Sequence, residues 1–95
     1  MSNQQLSVIV PCFNEEAVLA ETHRRLSDVL ERIDRIDYEI IYVDDGSRDG
    51  TPQILGALQA NDERVRVVRF SRNFGHQTAV TAGLEHAKGD AVVLI

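Results

Sequence analysis

Ninety-five residues of 10.6 kDa leave room for one domain, and 43% hydrophobic with 26% charged residues exclude a disordered tail, a collagenous repeat and a coiled coil. A net charge of −5 with no basic block argues against binding a nucleic-acid backbone. The single cysteine, Cys12, excludes an internal disulfide framework and a multi-cysteine zinc site, and is compatible with a reducing compartment.

No apolar run approaches the roughly 18–20 residues of a membrane span. The N-terminus MSNQQLSVIV lacks the basic and apolar regions of a secretory signal. Leu6 to Val10 reads as a short buried strand that Pro11 should end, because proline donates no ladder hydrogen bond. Asn14 is placed as the N-cap of a first helix, with Glu15 and Glu16 at its positive end. Val18, Leu19, Leu26, Val29, Leu30 and Ile33 carry helical spacing, and the helix should end between Ile33 and Arg35. His23 and His86 read as solvated helix positions.

Tyr38 to Val43 predicts a second strand, running into the acidic turn Asp44 to Gly50. Thr51 as N-cap and Pro52 at the first helical position start a second helix, with Ile54, Leu55 and Leu58 inward and an end at Asn61–Asp62. Val65 to Phe70 predicts a third strand and Ser71 to Gly75 a loop. A third helix follows from His76 to Ala87, with Val80, Gly83, Leu84 and Ala87 inward and Gly89 as its stop signal. Ala91 to Ile95 is a fourth strand, and an ending inside an apolar run reads as a truncation. Strands alternating with helices imply a Rossmann-like α/β parallel sheet with right-handed crossovers.

In such a sheet, ligands bind beyond the carboxyl ends of the strands. Three polar turns should share that edge: Pro11 to Glu16, Asp44 to Gly50 and Ser71 to His76. Neither a G-x-G-x-x-G turn nor a G-x-x-x-x-G-K-[ST] loop is present, which disfavours a dinucleotide fold and a P-loop. Asp45 to Gly50 imitates the start of a calcium-binding loop, but its twelfth position is Gly56 and it begins at a strand end.

Asp44, Asp45 and Asp49 have two readings. They can build the turn through side-chain bonds to the backbone. Alternatively, a carboxylate at the strand end can accept N–H bonds from a base, as the imide of uracil or the N1–H and amino group of guanine would offer. Asp49 is expected to order the turn, with Gly50 in an unusual backbone conformation. Arg72 is a surface residue, or pairs with a pyrophosphate or with Asp45. Cys12 is expected to be a small buried filler.

The segments SVIVPCFNEE, YEIIYVDDGSRDGT and FSRNFGHQTAVTAGLEHAKGD together resemble the N-terminal half of family 2 glycosyltransferases of the GT-A fold. Among them, the chain is most similar to the polyprenyl-phosphate glycosyltransferases. The likeness runs from Leu6 to Ile95 and implies strand order 3-2-1-4. It implies that Pro11, Phe13 and Glu15 line the nucleotide pocket, that a carboxylate of the Asp44–Asp45 pair holds the base, and that Arg72 lies near the nucleotide. Asn73, Gly75 and His76 match the start of the third helix in this family.

The resemblance further implies a UDP- or GDP-sugar donor and a polyprenyl-phosphate acceptor. It implies a cytoplasmic site at the inner membrane face. A divalent metal, Mg or Mn, would be held by an Asp-x-Asp motif expected just after Ile95. Residues 1–95 are therefore expected to form the nucleotide-recognition half of an incomplete GT-A domain, without catalytic residues of their own. The isolated fragment is expected to self-associate through its fourth-strand edge, or to be ordered only because a partner covers that edge. Two other outcomes stay open: a nucleotide-binding module without turnover, and a structural fragment folded through association with no ligand.

Overall fold

The computed structural model describes residues 4–95. Along the chain come β1 (Gln4–Cys12), α1 (Leu19–Glu31), β2 (Ile36–Asp44), α2 (Thr51–Asn61), β3 (Val65–Arg69), α3 (His76–His86) and β4 (Ala91–Leu94). The four strands are parallel and ordered β3-β2-β1-β4, as expected.

Alternation along β1 and β2 divides the apolar side chains between two faces. Val8, Val10, Cys12, Tyr38, Ile40 and Tyr42 pack with Leu19 and Leu30 of α1 and Leu55 of α2. Ile9, Ile41 and Val43 pack on the other face with Ala79 of α3. The chain thus moves outward from β1 to β3 with two helices on one face. It then returns to β4 with α3 on the other, which opens a crevice at the carboxyl end of β1.

Several local expectations are corrected. Pro11 does not end β1, whose pairing with β2 continues through Pro11↔Val43 and Cys12↔Asp44. The odd-numbered residues of β1 bond towards β4, as Ile9 does in accepting the Ile95 N–H, and pairing with β4 stops at Ile9↔Leu94. The missing donor of Pro11 therefore falls where no ladder bond is required. Helix α1 starts at Leu19 with Val18 as N-cap and no side-chain cap, and it ends at Glu31. Helix α2 is capped by Gly50, one residue earlier than predicted, and Gly50 has an ordinary φ of −77°.

His23 is buried rather than solvated. Its Nδ1 lies 2.6 Å from the Tyr42 hydroxyl and its Nε2 lies 3.6 Å from Asp62. Burial, then the negative charges of Cys12 and Asp62, push the Tyr42 phenol well above its ordinary range. On α3 the inward residues are Ala79 and Gly83, while Leu84 is exposed. A Cβ on Gly83 would meet the Ile9 side chain, so the small residues set how closely α3 lies on the sheet. Strand β4 forms an edge, and Val92, Val93, Leu94 and Ile95 are all exposed.

Candidate functional site

The loops after β1, β2 and β3 do meet at one edge, and their side chains lock one loop to another. Asn14 is not a helix cap. It adopts a left-handed conformation, φ +52°, and bridges to the second loop. Its N–H donates to Ser47 Oγ at 2.8 Å, and its Oδ1 accepts the Arg48 N–H at 2.9 Å. Next along the chain, the Glu15 N–H donates to Thr51 Oγ1 at 2.8 Å. Asp49 orders the turn as expected: Oδ1 accepts the Thr51 N–H at 2.9 Å and Oδ2 the Glu16 N–H at 3.3 Å.

The adjacent carboxylates divide their work. Asp44, the last residue of β2, is fully buried; its Oδ1 accepts the Ser47 N–H at 3.0 Å. Its Oδ2 has no hydrogen-bond partner among the described residues, and Arg69 Nε stands 4.0 Å away. Asp45 faces the third loop. Its Oδ1 accepts the Phe74 N–H at 2.7 Å and its Oδ2 the Gly75 N–H at 3.0 Å. Asp45 is thus a latch that fixes the entry to α3, and each oxygen keeps a further lone pair for a ligand.

Pro11, Phe13, Glu15 and Asp45 line one cavity of about 330 Å³, with Cys12, Asn73, Gly75 and His76 completing its wall. Four of the six predicted residues are therefore brought together. Arg72 lies next door, in a cavity of about 370 Å³ that shares Phe13 and Asn73 with the first. Its guanidinium rests 4.7 Å from the centre of the Phe74 ring rather than against Asp45. Asp44 lines neither cavity.

The first cavity carries carboxylates and no arginine or lysine. It suits a ligand edge rich in N–H donors, with the exposed Phe13 ring as a stacking surface. Cys12 is buried, and burial, then Glu15 and Asp44, push its thiol up to about 12. It is a wall, not a nucleophile. Among the described residues no group of three or more His, Cys, Asp or Glu could hold a metal ion. The acidic pair does not supply one either: Asp44 is fully buried and lines neither cavity, so the two carboxylates do not face one ligand. Among those same residues, no helix is long and apolar enough to cross a membrane.

A family model described as Glycosyl transferase family 2 matches residues 7–95. The chain is 46% identical to an uncharacterized glycosyltransferase, YkcC, of Bacillus subtilis, covering 96% of this chain and 28% of that protein. It is 40% identical to the bactoprenol glucosyl transferase of Shigella phage SfV, over 96% of this chain and 29% of the relative. Two solved structures share the fold at a TM-score of 0.77. One is the mannosyltransferase PcManGT of Pyrobaculum calidifontis in complex with GDP-Man and Mn2+, at 27% identity over 97% of this chain and 27% of that one. The other is S. aureus TarS in complex with UDP-GlcNAc, at 29% identity over 96% of this chain and 26% of that one. The chain thus spans between a quarter and a third of the length of these proteins.

Proposed function

Since the chain belongs to glycosyl transferase family 2, we propose that it is the nucleotide-recognition part of a transferase that moves a sugar from a nucleoside diphosphate to a polyprenyl phosphate. One observation carries this reading. The cavity at the carboxyl end of β1 unites Pro11, Phe13, Glu15 and Asp45. There the base stacks against Phe13 and gives its N–H groups to the Asp45 and Glu15 carboxylates, while Arg72 flanks it from the adjoining cavity. The bactoprenol glucosyl transferase relatives support the acceptor class, and the UDP-GlcNAc and GDP-Man complexes support the donor class.

In the reaction an acceptor phosphate oxygen bonds to the anomeric carbon, the bond from that carbon to the diphosphate breaks, and the nucleoside diphosphate leaves. In this reading residues 1–95 supply donor recognition, and turnover draws on groups besides those named here. In the same reading the whole enzyme acts at the cytoplasmic face of a membrane, where a lipid-linked acceptor phosphate would lie.

Phe13→Ala tests the placement. Phe13 is 42% exposed, so its loss leaves the core intact. Losing the stacking surface should weaken UDP or GDP, whichever binds, by a factor on the order of 10, since base–aromatic stacking is worth about 1–3 kcal/mol. An unchanged dissociation constant by calorimetry places the nucleoside elsewhere.

The exposed apolar β4 edge favours a second reading, in which the 95 residues self-associate through that strand. A monomer by light scattering excludes it.

A further inference from the structure

We infer that the cavity beside the nucleoside site takes a phosphate group. Arg48 and Arg72 line it together with Ser47, Ser71, Asn14 and Asn73, and no carboxylate does. Neither arginine has an ion-pair partner within 4.0 Å among the described residues, which is also true of Arg32, Arg35 and Arg64, so what sets this pair apart is that the two share one cavity. In a chain of net charge −5 this cavity is a local reversal of sign.

Its frame is already built. The Asn14–Ser47 and Arg48–Asn14 hydrogen bonds tie the first loop to the second, so the wall that carries Arg48 is fixed before a ligand arrives. Asp45 holds the third loop through the Phe74 and Gly75 N–H groups, and Phe74 gives the Arg72 guanidinium a shelf. Such preorganisation lowers the ordering cost of binding. Arg69, which flanks the neighbouring surface, is turned towards the buried Asp44 and leaves the pair in the cavity to act alone. Two arginines among hydroxyl and amide side chains, within reach of one cavity, match the oxygens of a phosphate rather than an aromatic ring or a neutral sugar.

The phosphate could be the free ion, the diphosphate of a nucleotide or the headgroup of a lipid. The test begins with inorganic phosphate, which has no base, so it does not depend on the nucleotide reading. Titration of the full chain, followed by ¹H–¹⁵N spectra, should give saturable shifts at Arg48 and Arg72, including their Nε–H signals. Chloride at matched ionic strength should not. Arg48→Gln combined with Arg72→Gln should weaken phosphate by a factor on the order of 10 or more, as expected for losing charge-assisted hydrogen bonds. Should the Arg72 change loosen the third loop, Arg48→Gln alone decides.

Further arms assign the source. UDP against uridine tests a nucleotide phosphate, and phosphatidylglycerol against phosphatidylcholine vesicles tests a lipid headgroup. Phosphate binding without either identifies the free ion. Shifts no larger than with chloride, or shifts unchanged in the arginine variants, overturn the inference.

Discussion

Replacing Gly46 by alanine should cost the fold on the order of 3 kcal/mol and lower Tm by more than about 10 °C. Gly46 has a φ of +76°, where a side chain is strained, and it is where the second and third loops touch. An added Cβ would lie 2.5 Å from the Asn73 nitrogen and 2.7 Å from the Arg72 Cα. These are backbone atoms and cannot swing aside as the tip of a side chain can. The strand-to-helix turn and the loop bearing Arg72 would have to part, and the damage would reach both cavities. Thermal melts followed by circular dichroism check the stability; a curve that superimposes on the wild type contradicts the packing described at this contact.

Glu39→Ala should destabilise by a similar amount, about 3 kcal/mol, while leaving nucleotide affinity of the folded protein unchanged. Glu39 is buried in β2, at the end of the sheet away from the loops. Its Oε2 accepts the Ser7 hydroxyl at 2.6 Å and the Lys88 N–H at 2.8 Å, and its Oε1 accepts Arg66 Nη1 at 3.2 Å. Ser7 Oγ in turn accepts the Gly89 N–H at 2.8 Å, so one carboxylate organises the turn that delivers β4. Removing it leaves several donors without an acceptor.

The same carboxylate gives stability a pH dependence. Burial alone would raise its pKa, but the Ser7, Lys88 and Arg66 hydrogen bonds outweigh burial, and the net direction is downward. A depressed folded-state pKa stabilises fully above the unfolded carboxylate value and is lost as pH falls through the folded one. Melting temperature should therefore drop between about pH 5 and pH 3, and Glu39→Gln should flatten that part of the profile. A flat wild-type profile in this window contradicts the assignment.

A parallel sheet covered by helices on both faces was legible because β1 and β2 are apolar on alternate and intervening positions alike, as such a sheet requires, whereas the strand order followed from the family resemblance and not from the pattern. Segment boundaries were less so. Whether Pro11 ends a strand depends on which neighbour its missing donor faces, which a sequence does not state. Asn14 has the chemistry of a helix cap and of a left-handed bridge, and only the approach of Ser47 and Arg48 decides between them.

His23 was within reach. It falls four residues after Leu19, three before Leu26 and seven before Leu30, on the stripe that packs against the sheet. Its polarity, without sight of Tyr42 and Asp62, pointed outward instead. On α3 the expected inner face of Val80, Gly83, Leu84 and Ala87 held at Gly83, while hydrophobicity wrongly favoured Leu84 and passed over Ala79. Close approach to Ile9 requires a small residue at Gly83, and Ala79 is buried beside it in the same cluster, so size overrides hydrophobicity there.

The meeting of the three loops was legible. Carboxylates and glycines after consecutive parallel strands converge on one edge, and Pro11, Phe13, Glu15 and Asp45 share a cavity. How each acceptor is spent was not legible, because Asp45 reaches Phe74 and Gly75 across about thirty residues of intervening chain, 29 and 30 positions apart. Neither was the burial of Asp44 beneath its neighbour.

Calorimetric titration of the chain with UDP and with GDP, each with and without manganese, tests the central claim most directly. Saturable binding of one of the two nucleotides is the result expected from the cavity of Pro11, Phe13, Glu15 and Asp45. Absence of heat from both at millimolar concentration would contradict a nucleotide site formed within these residues.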